Sequence, residues 1–243
     1  EIVPGKRLFL THRNRKISSM RKYLLSIPPS LIQPFHQLTG KPLTEWMVDS
    51  DPGDIRVGSG GGTAWMLHRT WQLEAPETGF QEWLSQEKRI ILHAGGLSRR
   101  MPAYAPWGKI LTPIPVFRYK RGQKLDQTLL DLQIPLYDRI LQQAPASVHT
   151  LVASGDVLIT NGAEIPPLPD ADIICYGLWI SPEQSSRHGV FFCNRQHPDK
   201  LEFMLQKPSV NMIRELASDY FFMMDIGIWL LSDRAVELLF QHA

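Results

Sequence analysis

Arg89-Ile90-Ile91-Leu92-His93-Ala94 runs without a break into Gly95-Gly96-Leu97-Ser98-Arg99-Arg100-Met101-Pro102, and Gly108-Lys109 follows. The first six residues are a short apolar run bounded by glycines, which predicts a buried strand. Working outward, helix-like and strand-like segments alternate. Ala64 to Leu73 and Phe80–Glu87 have helical spacing before the strand. Leu125–Gln143 has it afterwards, at Leu129, Leu132, Leu136 and Ile140, with Pro135 expected to kink it. Strands are predicted at Val148–Ala153, Asp172–Ile180, Val190–Cys193, Leu201–Gln206 and Phe221–Leu231. A helix is predicted over Ser209–Ala217. Ser232 is placed to cap a last helix, with Leu238 and Leu239 on its inner face. The strands are nearly continuous in apolar residues. That pattern predicts an α/β fold, a mostly parallel central sheet with helices on both faces. Ligands in such sheets sit at the carboxyl ends of strands, which is where Gly95 and Gly96 fall.

The composition excludes several classes. The chain has 243 residues, 43% hydrophobic and 21% charged, enough apolar material for a core. No apolar run reaches the ~18 residues of a membrane helix. Two cysteines, Cys175 and Cys193, are too few for a disulfide framework and fit a reducing, cytoplasmic setting. The net charge of +2 is unevenly spread. Lys6, Arg7, Arg13, Arg15, Lys16, Arg21 and Lys22 stand against Glu1 alone in residues 1–22, so the rest of the chain is acidic. No nucleic-acid surface is expected of such a body. Residues 1–22 are expected to be a basic tail outside the fold, with Met20 a possible natural start.

The chemistry concentrates after the strand at Arg89. Glycines let a backbone approach a phosphate closely and expose N–H donors. Arg99 and Arg100 supply forked donors for phosphate oxygens, and Lys109 a compact second charge. Together they suit a triphosphate and the pyrophosphate leaving it. The plain alternative is a glycine turn with solvated arginines. Asp156 follows the strand Val148–Ala153 and suits Mg²⁺, which prefers one or two carboxylates plus phosphates and water. A turn-capping aspartate is the alternative there. Gly58-Ser59-Gly60-Gly61-Gly62 reads as a loop before a helix capped by Thr63. It is either a flexible linker or, through Gly60 and Gly61, a second backbone clamp on nucleotide phosphates. It lacks the lysine of a P-loop. The Pro-rich stretch 24–57 reads as irregular, with one short helix over Leu31–Leu38 capped by Ser30. His188, Cys193 and His197 have no standard zinc spacing. Cys175, Cys193, Trp65, Trp83, Trp179 and Trp229 read as core residues.

The stretch from Leu92 to Pro102, with Lys109, resembles the signature of sugar-1-phosphate nucleotidyltransferases. Ser98 stands where a third glycine is usual, and Gly108 where a proline precedes the lysine. The order of Ser50-Asp51-Pro52, His149 to Asp156, His188-Gly189-Val190-Phe191, Met204 to Ser209 and Met224 to Trp229 narrows the likeness. From about Tyr23 to His242 the chain is similar to the pyrophosphorylase part of bifunctional fucokinase/fucose-1-phosphate guanylyltransferases. The resemblance implies a Rossmann-like fold of the GT-A type, with residues 23–243 an incomplete nucleotidyltransferase domain. It implies GTP and fucose-1-phosphate as substrates, GDP-fucose and pyrophosphate as products, and a C-terminal kinase domain elsewhere in a longer chain. Arg100 and Lys109 would be catalytic, and Gly95, Gly96, Ser98 and Arg99 nucleotide-binding. Asp156 would hold Mg²⁺, and Gly189, Lys207 and Asp225 would bind the sugar phosphate, with Gly227 beside Asp225. Guanine and fucose specificity rest on the resemblance alone. Two other readings stay open, a fragment of a sugar kinase and a non-catalytic nucleotide-binding module.

Overall fold

The computed structural model describes residues 20–54, 57–95, 108–114, 126–159 and 164–243. Gly96, Ser98, Arg99 and Arg100 lie outside the described residues, as do residues 1–19.

Four short strands run parallel: β1 (Tyr23–Ser26), β2 (Trp46–Asp49), β3 (Arg89–His93) and β4 (Val148–Ser154), in spatial order β2-β1-β3-β4. The register aligns their last residues, so Asp49, Ser26, His93 and Ser154 form one row along the carboxyl edge. The long strand β8 (Tyr220–Ser232) joins β4 antiparallel through Ile228 to Ser232. Its other half, Tyr220 to Met224, pairs with β6 (Gly189–Asn194), and β7 (Leu201–Gln206) closes that side. Asp225-Ile226-Gly227 therefore lies where β8 leaves one neighbour for the other. β5 (Ile173–Leu178) also pairs with β8.

Side chains alternate across the strands and build a core on each face. Leu25, Leu92, Leu151 and Leu230 meet Leu136 and Ile140 of α5 (Leu129–Gln142) on one side. Leu31 of α1 (Pro29–Ile32) and Phe35 of α2 (Phe35–Thr39) join them. Leu24, Ile91 and Leu231 face the other way. They meet Met66 and Leu67 of α3 (Gly58–Glu74), Trp83 and Leu84 of α4 (Phe80–Ser85) and Val236 of α8 (Asp233–His242). The expectation of helices on both faces holds, and the parallel pairing belongs to β1–β4. The short helix α6 (Pro182–Ser185) was not legible in the sequence. A third, smaller cluster puts Ile213 of α7 (Val210–Leu216) on Val190 and Phe192.

Several expectations need correction. The glycine run at 58–62 is not a loop but the opening of α3, which continues to Glu74. Thr63 is no cap: it is buried inside that helix. Helical glycine costs about 1 kcal/mol relative to alanine, yet here the missing side chains admit neighbours. A Cβ on Gly62 would lie 3.1 Å from His93 Cε1 and 3.3 Å from Asp51 Oδ1. The Pro-rich stretch holds β1 and β2, each too short to show a period. The helix at Leu31–Leu38 is two helices, with Pro28 rather than Ser30 before the first and Pro34 dividing them. Helix α5 passes through Pro135 without ending. Trp179 is 59% exposed and Leu238 48% exposed, so neither is a core residue. The Ser232 cap is present: its Oγ accepts the Ala235 N–H at 3.1 Å.

Candidate active site

The row at the carboxyl edge of β1–β4 organises the chemistry-bearing residues. Asp156 stands one residue beyond Gly155, which the strand end needs as glycine. Its Cβ would fall 2.6 Å from Ala94 Cβ and 3.1 Å from the His93 carbonyl oxygen. The Gly155 N–H donates to that carbonyl at 2.9 Å. The turn carrying Asp156 is thereby pressed against Ala94, where the glycine loop begins at Gly95. From below, the buried Gln133 of α5 donates its amide to the carbonyls of Ser154 and Val157, which bracket Asp156.

Lys109 reaches the same point from another segment. It opens a 3-10 turn, Lys109–Leu111, whose Ile110 and Leu111 are buried in the α5-side core. That anchor holds Lys109 Nζ 2.9 Å from Asp156 Oδ2, while Ser154 Oγ donates to Asp156 Oδ1 at 2.7 Å. Burial pushes the Asp156 pKa up, but the bonds from Lys109 and Ser154 outweigh it and hold the carboxyl below its ordinary value. The carboxylate is thus charged at neutral pH and about half exposed.

A second group continues the row across β8. The Cβ that Gly227 lacks would stand 3.0 Å from Ser154 Cβ, so the bend of β8 touches the Asp156 turn. Asp225 is held there by the Gly227 N–H at 2.7 Å and the Trp229 indole N–H at 3.3 Å. Burial lifts its carboxyl pKa above the ordinary value, against those bonds and the nearby His188. A Cβ on Gly189 would meet Asp225 Cβ at 3.3 Å. Gly189 pairs with Gln206, and Lys207 follows with φ +50°, its N–H donating to the His188 carbonyl at 2.9 Å. Lys109 and Asp156 are in direct contact, and Asp225 and Gly189 adjoin them through Gly227. Lys207 stands further along, at the exposed end of β7.

Gly60 faces Leu239 and Gly61 faces Val57, while Gly62 reaches the edge row at His93. Three contacts escaped sequence reading: Ser154 on Asp156, Gln133 beneath it, and His93 against Thr63. Ser50-Asp51 and His149 to Asp156 stand out as blocks in the sequence, but no spacing signals these pairings. Among the described residues no three His, Cys, Asp or Glu side chains gather as a metal cluster. Magnesium needs no such cluster when phosphates complete its shell, and the half-exposed Asp156 carboxylate fits it as donor.

A family model described as the fucose pyrophosphorylase domain matches residues 81–243, which include β3, Lys109, Asp156 and the β6–β8 row. The chain belongs to the fucose pyrophosphorylase family. It is 53% identical over 220 residues to the L-fucokinase/L-fucose-1-P guanylyltransferase of Bacteroides fragilis, covering 90% of this chain and 23% of that protein. It is 27% identical over 188 residues to the bifunctional fucokinase/GDP-fucose pyrophosphorylase of Arabidopsis thaliana, covering 68% and 17%. It is 26% identical over 181 residues to the fucose-1-phosphate guanylyltransferase of Mus musculus, covering 70% and 28%. The chain thus spans less than a third of the length of these relatives. The family match begins inside α4, so the glycines of α3 stand before it.

Proposed function

We propose that this chain carries the nucleotidyl-transfer site of a fucose salvage enzyme. The fucose-1-phosphate oxygen attacks the α-phosphorus of GTP, the new P–O bond forms, and the bond to pyrophosphate breaks, giving GDP-fucose. The observation that carries this reading is the Lys109–Asp156 pair at the mouth of the glycine loop, inside the span matched to the family. It also rests on the printed activities of the relatives. No protein nucleophile is required, since positioning and charge neutralisation suffice.

Gly95, Gly96, Ser98 and Arg99 bind the nucleotide in this reading, and Arg100 and Lys109 neutralise charge passing to pyrophosphate. The N-terminal turn of α3, with Gly60 and Gly61, adds a positive helix pole at this edge. Asp156 holds Mg²⁺, whose charge offsets that of the phosphates when bound. Lys109, already paired with Asp156, exchanges that partner for phosphate oxygens. Gly189, Lys207 and Asp225 receive the sugar phosphate. In this reading the mostly parallel strands belong to a Rossmann-like fold of the GT-A type. A kinase domain in a longer chain is the natural source of fucose-1-phosphate, in keeping with the bifunctional relatives. The free thiols of Cys175 and Cys193 suit a cytoplasmic setting. The sugar-kinase reading, prompted by the glycines at 58–63 and by the second activity of the bifunctional relatives, loses the first of these grounds, because the run is helix.

The test is pyrophosphate release from GTP and fucose-1-phosphate with Mg²⁺, compared with UTP, dTTP and ATP. GTP-dependent release that collapses in Lys109→Ala and Asp156→Ala is expected. Undiminished turnover in both variants would sink the mechanism, and nucleotide binding without turnover would favour a non-catalytic module.

A further inference from the structure

His93 ends β3, and its backbone and ring face different parts of the site. Its carbonyl accepts the Gly155 N–H at 2.9 Å and so ties down the turn that carries Asp156. Its ring points at α3, with Nε2 2.9 Å from Thr63 Oγ1. A Cβ on Gly62 would crowd both the ring, at 3.1 Å, and Asp51 Oδ1, at 3.3 Å, so helix backbone, imidazole and carboxylate converge. Carboxylate, imidazole and hydroxyl in that order form a relay able to activate a nucleophile. Thr63 is only 2% exposed, however, so its oxygen meets no substrate. The remaining role is mechanical.

We propose that His93 is a positioning residue for the nucleotide, clamping the opening of α3 and the Asp51 loop through its ring and the Asp156 turn through its carbonyl. Gly95, two residues beyond His93, then leaves β3 at a set place beside these segments. This role in catalysis rests on the GDP-fucose reading. Burial keeps the ring neutral, its pKa held below the ordinary histidine value against the opposing pull of Asp51. A neutral ring carries one N–H. That ring shares a hydrogen bond with the Thr63 hydroxyl through Nε2.

Thr63→Val removes the hydroxyl at constant shape, and His93→Phe removes the ring nitrogens. Thr63→Ser and His93→Gln keep a polar partner. In the full chain, Thr63→Val and His93→Phe are expected to lower kcat/KM for GTP about ten-fold. The KM for fucose-1-phosphate and the melting temperature should stay near the parent's, and Thr63→Ser and His93→Gln should recover most of the loss. Wild-type kinetics in Thr63→Val overturns the proposal. So does an equal loss towards both substrates that tracks a fall in melting temperature. A parent chain that makes no GDP-fucose overturns the proposed function instead. Hydrogen exchange at the Gly155 amide then decides the clamp: faster exchange in Thr63→Val supports it, and unchanged exchange overturns it.

Discussion

Lys109 and Asp156, the proposed phosphate and Mg²⁺ ligands, form an ion pair that contributes little to the fold. Both side chains are more than a third exposed, and such pairs are worth about 0–1 kcal/mol. Lys109→Met and Asp156→Asn should therefore leave urea denaturation nearly unchanged. Each should still cut GDP-fucose formation by about 10²-fold, the loss typical of one charge-stabilising group. A matching loss of stability would show the pair to be structural. Gly155 makes the opposite case. The atoms its Cβ would strike include backbone, at 3.0 Å from Ala94 Cα, so the strand ends must part. Gly155→Ala should cost about 1–3 kcal/mol by chemical denaturation, and activity should fall with it because the Asp156 turn moves. The packing demand on Gly155 is not visible in the dipeptide Gly-Asp, whereas Asp156 already reads from the sequence as a candidate Mg²⁺ ligand.

At the scale of elements, α5 and α3 show local rules succeeding and failing. Thr128 and Asp131 form a capping box at the start of α5: Asp131 Oδ2 accepts the Thr128 N–H at 2.9 Å, and Thr128 Oγ1 the Asp131 N–H. Thr128→Ala should lower stability by about 1 kcal/mol, measurable by urea unfolding. Burial raises the Asp131 pKa, but Lys41 and Thr128 outweigh it, so the carboxyl lies below 3.8 in the folded state. A depressed acid stabilises the fold above its unfolded pKa and loses that contribution as pH falls through the folded value. The melting deficit of Asp131→Ala should thus be full at neutral pH and shrink as pH falls past 3.8 and through the lower folded value. A deficit that persists unchanged in acid contradicts this. In α3 the local rule fails. Five residues of Gly-Ser-Gly-Gly-Gly have poor helix propensity, but the close approach of His93, Leu239 and Asp51 rewards the missing side chains.

For the whole molecule, Arg89 joins three segments. It is fully buried, its guanidinium 3.7 Å from the Trp83 ring centre. It donates to the carbonyls of Leu84 at 3.1 Å and Glu87 at 3.0 Å, and lies 3.9 Å from Glu74 Oε2 at the end of α3. Glu74 also receives the Trp83 indole N–H at 2.9 Å and the Arg21 N–H at 2.7 Å. Burial draws the Arg89 pKa down to about 10, still charged at neutral pH. Arg89→Ala takes one of two cations from the buried Glu74 carboxylate and the donor from the Leu84 and Glu87 carbonyls, and should cost about 3–5 kcal/mol. A denaturation midpoint within error of the parent's contradicts that. The same contacts bring Arg21 into the packed structure, next to Met20 and Lys22, which pairs with Asp138.

By itself the sequence determined the strand that launches the glycine loop, β4, β6, β7 and β8, the capped last helix, and the family likeness. These are segments with enough residues to show a period or an ordered motif. The proximity of Lys109 to Asp156 was decided only in three dimensions, across 47 residues. So were the helical state of Gly58 to Gly62, the strands β1 and β2, and the place of His93 between α3 and the Asp156 turn. The physical reason is common to all of them. Their stabilising partners are far away in the chain, and a short polar, glycine or proline segment takes its conformation from what packs against it.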